Sequence, residues 1–123
     1  MKIVAIAGSI VGSKTRTAID YTLKIAREKY PDAEITLLDL AEYNMVFSDG
    51  RNYMEYEGET KVVTETIMVA DAIIIGTPTF QASIPATLKN IFDLLPVNAF
   101  RDKVVSMLVT AGTVVVKTVV AIP

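Results

Sequence analysis

Two residue types are missing altogether: the 123-residue chain has no cysteine and no histidine. Without cysteine there are no disulfides, no thiolate metal ligands and no cysteine nucleophile. Without histidine, Ser-His-Asp catalysis and imidazole-bound metals are excluded, along with the usual general base at neutral pH. Positive charge is not in excess either. Twelve basic residues stand against 14 acidic ones, a net charge of −2, too little to hold a nucleic-acid backbone by counterion release. No apolar run approaches the roughly 18 residues of a membrane span. The apolar stretch after Lys2 ends at Ala7, short of the roughly 7–15 residues at the centre of a signal peptide. The expectation is a cytoplasmic protein with no nucleic-acid and no membrane partner. An enzyme of this composition takes its chemistry from a cofactor.

Hydrophobic residues make up 51% of the chain, enough to bury the core of one domain. Short β-rich runs alternate with amphipathic stretches. Strands are predicted over 2–7, 34–40, 72–76 and 103–109. A helix is predicted over 15–30, where Ile19, Leu23, Ala26 and Tyr30 recur on one face. A second spans 59–70 with Val63, Ile67 and Ala70 on one side. A third begins near Ser83, read as its cap with Pro85 in the first turn, and buries Leu88, Ile91, Phe92 and Leu95 before Pro96 stops it. Strands that are apolar at nearly every position belong to a parallel sheet covered on both sides by helices. Ligands of such sheets bind in the loops after the strands' carboxyl ends, here 8–17, 77–83 and 110–113. A run over 114–120 reads as a fifth strand, but only Ala111, Gly112 and Thr113 separate it from the fourth. A parallel neighbour needs a crossover of a dozen or more residues. Either the tail folds back antiparallel or residues are missing after Thr113. The second is favoured, because a doubly wound domain usually closes with another helix.

The first loop runs Gly8-Ser9-Ile10-Val11-Gly12-Ser13-Lys14-Thr15-Arg16-Thr17. Lys14 and Arg16 stand where a helix dipole disfavours cations by roughly 0.3–1 kcal/mol each, a repulsion that a bound anion would relieve. A hydroxyl-capped helix with two solvated cations is the plainer reading. The G-x-G-x-x-G dinucleotide pattern is not met. A Walker A loop would have Lys14 and Thr15 in place but its second glycine one position early, with Asp39 as the Walker B acid. A single terminal phosphate, held by hydroxyls, backbone amides and one arginine as in flavodoxin-like domains, needs neither. In the second loop, Phe80 either packs in the core or joins Gln81 in covering a flat heterocycle.

Together the loops resemble the NADPH-dependent FMN reductase family, which has a flavodoxin-like fold. The likeness rests on Ala7-Gly8-Ser9, on Ser13, Thr15, Arg16 and Thr17, and on Gly76-Thr77-Pro78-Thr79-Phe80. It continues in the S-I-P-A-T-L-K-N-I-F-D-L-L-P segment from Ser83 to Pro96 and in Val109-Thr110-Ala111-Gly112-Thr113. The resemblance implies that Ser9, Thr15, Arg16 and Thr17 bind the FMN phosphate. It also implies that Pro78, Thr79, Phe80, Gln81, Ala82 and Ser83 edge the isoalloxazine, and that Thr110, Ala111 and Gly112 approach it from the third loop. The implied activity carries hydride from NADPH or NADH through FMN to free flavin, a quinone, an azo compound or another small electron acceptor. The implied assembly is a homodimer or homotetramer. Phe80 stands where many relatives have tyrosine, and the chain after Thr113 departs from the family pattern. An FMN-binding electron carrier without NADPH turnover is the alternative, disfavoured by the weak net charge, and a P-loop nucleotide hydrolase is the next. Lys89 and Asp93 read as an exposed helical ion pair. The aromatic-rich stretch 44–58 reads as a lid, an interface arm or a loop packed on its own side chains.

Overall fold

The computed structural model describes residues 1–9, 13–111 and 116–121. Five strands, β1 (Lys2–Ala7), β2 (Glu34–Asp39), β3 (Ala72–Pro78), β4 (Val104–Thr110) and β5 (Val116–Ala121), form one sheet in the order β2-β1-β3-β4-β5. The first four are mutually parallel, and β5 pairs antiparallel with β4. The described part of the tail therefore runs back along its neighbour, a pairing that needs no long crossover. Helices α1 (Lys14–Lys29), α2 (Gly58–Met68) and α3 (Ala86–Leu94) are the crossovers. The fold is flavodoxin-like α/β, with its switch point between β1 and β3.

Alternation along β1 divides the core. Val4 and Ile6 face a cluster with Leu38, Val63, Ile67, Ile73, Ile75, Leu88 and Ile91, beneath α2 and α3. Ala5 and Ala7 face Ile19 and Leu23 of α1 on the opposite side. The predicted face of α1 is shorter than its periodicity suggests: Ile19 and Leu23 are buried, Ala26 is half-buried, and Tyr30 caps the helix with its ring exposed. The faces predicted for α2 and α3 hold, except that Phe92 is half-buried, edge-on to Phe100 at 5.8 Å between ring centroids.

One glycine sets how closely α1 lies on the sheet. A Cβ on Gly76 would stand 2.4 Å from Ile19 Cδ1 and 2.6 Å from its Cγ1. Ile19 is fully buried and β-branched, so its side chain has little freedom to move aside. Helix α1 can reach this depth only because β3 has no side chain at that point.

Helix α3 does not start as predicted. Pro85 is its cap residue, with no side-chain cap hydrogen bond. Ser83 lies upstream in a tight turn closed by Phe80 N–H to Ser83 O at 2.8 Å and Ser83 N–H to Phe80 O at 2.9 Å. Those bonds commit Ser83's backbone to the turn, and the fixed φ of Pro85 suits the first helical residues.

Candidate functional site at the carboxyl edge of the sheet

Strand register brings the predicted loops together. Ala7, at the end of β1, is level with Asp39 of β2 and with Gly76 of β3, while Pro78 is level with Thr110 of β4. Hydrogen bonds then tie one loop to the next. Gly8 N–H donates to Gly76 O at 2.8 Å, and Thr87 Oγ1 of α3 donates to Gly8 O at 2.7 Å. Thr79 Oγ1 donates to Thr110 O at 3.0 Å. Thr15 Oγ1 and Thr110 Oγ1 share a buried hydrogen bond of 3.1 Å. The backbone approaches closely here: a Cβ on Gly8 would lie 3.0 Å from Gly76 O and 3.3 Å from Leu88 Cβ.

Each residue assigned to phosphate binding has a distinct environment. Ser9 is half-buried at the mouth of the first loop. Arg16 bridges two carboxylates, Nε to Asp20 Oδ1 at 3.0 Å and Nη1 to Asp39 Oδ2 at 2.8 Å. These partners raise its pKa further, through hydrogen bonds first and charge second. The cationic repulsion at the start of α1 is thus offset inside the chain, and a bound anion is not required to explain it. Neither ion pair uses Nη2, which leaves one edge of the guanidinium outside them. Thr15 is buried, with its hydroxyl on Thr110 rather than at the loop surface. Thr17 is exposed, but its hydroxyl and its backbone N–H both donate to Ser13 O, at 2.8 and 2.9 Å. As folded, Thr17 has no proton left for an anion.

The Walker reading fails on the same geometry. Thr15, its metal-binding hydroxyl, is buried against Thr110, and Asp39, its Walker B acid, holds Arg16 and accepts Ala41 N–H.

The second loop is exposed from Thr79 to Ser83, and Pro78 is half-buried. Phe80 is 42% exposed, so its ring belongs to the loop surface and not to the core. Gln81 and Ala82 both have positive φ, 49° and 61°, the backbone of a type I′ turn built without glycine. Each left-handed non-glycine residue costs on the order of 1 kcal/mol or more. Ala82→Gly is therefore expected to stabilise the protein by up to about 1 kcal/mol, read as a higher denaturation midpoint. An unchanged or lower midpoint would mean that the turn is not strained. In the third loop Thr110 is buried and Ala111 half-buried; Gly112 lies outside the described residues.

Sequence reading missed three participants. Asp39 reaches Arg16 only because β2 lies beside β1 in this register. Asp20 was readable as an i, i+4 partner of Arg16. Thr87 lies inside the quoted P-A-T-L-K-N segment, but its bond to Gly8 spans two elements. The stretch 44–58 is no loose lid: Asn90 bonds both Ser48 N–H and Val46 O, at 2.9 Å each, and Ser48 Oγ reaches Asp93 O at 3.1 Å. Arg51 lies over the Tyr56 ring and holds the Asp49 carboxyl well below its usual range. Lys89 and Asp93 form the expected exposed pair. Among the described residues, no carboxylate cluster is arranged for a metal ion and no helix is long and apolar enough to cross a membrane.

This arrangement has close counterparts. A family model described as NADPH-dependent FMN reductase matches residues 1–119. An NAD(P)H-dependent FAD/FMN reductase of Geobacillus thermodenitrificans is 42% identical over 113 residues, covering 92% of this chain and 61% of that protein. An FMN-dependent NADPH-azoreductase of Staphylococcus saprophyticus is 32% identical over 120 residues, covering 94% and 63%. Among solved structures, an apo NADH:FMN oxidoreductase (EMOB) superposes with a TM-score of 0.74 at 26% identity, covering 92% of this chain and 59% of that one. The chain thus spans about three-fifths of the length of these relatives. With the family model matched over residues 1–119 and a relative 42% identical across 92% of this chain, the chain belongs to the NADPH-dependent FMN reductase family.

Proposed function

We propose that the protein is an FMN-binding, NAD(P)H-dependent oxidoreductase whose cofactor lies across the three interlocked loops. The observation that carries this reading is the switch-point edge itself, where the loop bearing Arg16 and the loop bearing the exposed Phe80 ring meet through Gly8 N–H on Gly76 O. The residues fit the group. The outer edge of Arg16, the Ser9 hydroxyl and the first-turn backbone of α1 would hold the phosphate. Thr15 would contribute backbone only, and Thr17 would first have to release Ser13. The 78–83 turn would edge the ring system through its backbone and Phe80, with Thr110, Ala111 and Gly112 opposite.

Bound FMN supplies the two-electron chemistry between nicotinamide and acceptor. The chain's own task is to bind, orient and exclude water, which suits a protein without histidine. The acceptor class is a small oxidant such as free flavin, a quinone or an azo compound. This reading carries with it a cytoplasmic location, where reduced nicotinamide is available. It also carries homodimeric or homotetrameric assembly, which would cover exposed apolar side chains such as Phe47, Met54 and Val97. The test is steady-state NADPH and NADH oxidation by the full-length, FMN-loaded protein with each acceptor in turn. Turnover that depends on both FMN and acceptor supports the reductase. Retained FMN without nicotinamide oxidation would make the protein an electron carrier.

A further inference from the structure

Thr110 was expected to approach the flavin directly, yet its polar groups are turned to other residues of the site. Its hydroxyl is buried against Thr15 Oγ1 at 3.1 Å, in the first turn of α1 on the phosphate side. Its carbonyl accepts the Thr79 hydroxyl at 3.0 Å, from the loop on the ring side. Thr110 itself is 4% exposed and Thr15 6% exposed. One residue at the end of β4 therefore ties together the first turn of α1 and the 78–83 loop. A buried hydroxyl pair leaves little freedom: if either partner is lost, the other is stranded without solvent.

We infer that Thr110 is a positioning residue, a latch that fixes the first turn of α1 relative to the 78–83 turn and so sets the span between the phosphate and ring ends of the cofactor site. The inference rests on the FMN reading above. A cofactor that reaches both ends senses this span, whereas riboflavin, which lacks the phosphate, engages only one end. Loss of the latch therefore weakens FMN more than riboflavin.

The test measures FMN and riboflavin affinity of the full-length protein by flavin fluorescence, in wild type, Thr110→Val and Thr110→Ser. Valine keeps the shape and removes the hydroxyl; serine restores it. Thr110→Val is expected to lower FMN affinity about tenfold and riboflavin affinity by less than about threefold, with Thr110→Ser within about twofold of wild type. Thr15→Val removes the same hydroxyl pair from the other side and serves if Thr110→Val does not fold. Equal losses for the two flavins, or a serine variant as weak as the valine one, would overturn the latch. So would unchanged affinities in Thr110→Val while wild type binds FMN, and that outcome would leave the cofactor reading standing. Failure of wild type to bind FMN would overturn the cofactor reading itself, and the latch with it.

Discussion

Arg16→Ala is expected to lower FMN affinity by roughly 10- to 100-fold while leaving riboflavin affinity nearly unchanged. A charged hydrogen bond is worth about 1.5–3 kcal/mol, and each 1.4 kcal/mol is tenfold in affinity. The phosphate is the only part of FMN that requires a guanidinium, so the effect should be confined to the phosphorylated flavin. Arg16→Lys should fall between wild type and alanine, because lysine keeps the charge but not the planar fork. The substitution also removes the partner of Asp39, whose side chain is 13% exposed. Some loss of folding stability will accompany the loss of binding. Comparing the two flavins separates these effects, since a general destabilisation weakens both. Parallel losses would mean that Arg16 only braces α1 against β2, with the phosphate held elsewhere.

The largest expected effect on folding lies away from the site, at Lys103. Its ammonium is buried and donates to Ala70 O at 2.6 Å, Met68 O at 2.7 Å and Ile67 O at 3.3 Å. Helix α2 has no basic residue in its own last turn, so Lys103, just before β4, supplies the cation its C-terminal dipole favours. Ile67 O also receives Ala70 N–H, whereas the Met68 and Ala70 carbonyls rely on Lys103. Lys103→Met should strand both and cost about 3 kcal/mol, roughly 10 °C in midpoint for a domain of this size.

Burial pushes the pKa of Lys103 below its ordinary 10.5, with Asp71 opposing. The unfolded chain then holds this proton more tightly than the folded one. Between the folded pKa and 10.5, Lys103 should make stability rise with pH. The methionine variant should lose that rise. A variant as stable as wild type, with the same pH dependence, would show that water replaces the cap.

What was legible in sequence follows the reach of each signal. Apolar strands such as Ile73 to Ile75 and the pairs Val63–Ile67 and Leu88–Ile91 carry their periodicity within one element, and they fold as read. Tyr30 continues the α1 pattern numerically, but the helix ends before it and its ring stays exposed, with Lys29 over it. Ser83 looked like a cap because hydroxyl residues often precede helices, yet its backbone is committed to the turn with Phe80. The antiparallel return of β5 was the less favoured of two readings, missing residues being preferred, although the short link allowed no parallel neighbour. In the site, loop membership was legible from position after each strand. The bonds made there were not, since Arg16 to Asp39, Thr87 to Gly8 and Thr15 to Thr110 join elements brought together only by the register of the sheet. That register is also what turns Thr15 away from the loop surface and onto Thr110.

The most direct measurement is the absorption spectrum of the full-length protein after incubation with FMN and removal of free flavin. Flavin bands that survive desalting in stoichiometric amount, and that diminish in Arg16→Ala, are the predicted result. A colourless protein, with FMN recovered entirely in the small-molecule fraction, would contradict the proposal that this edge of the sheet is an FMN site.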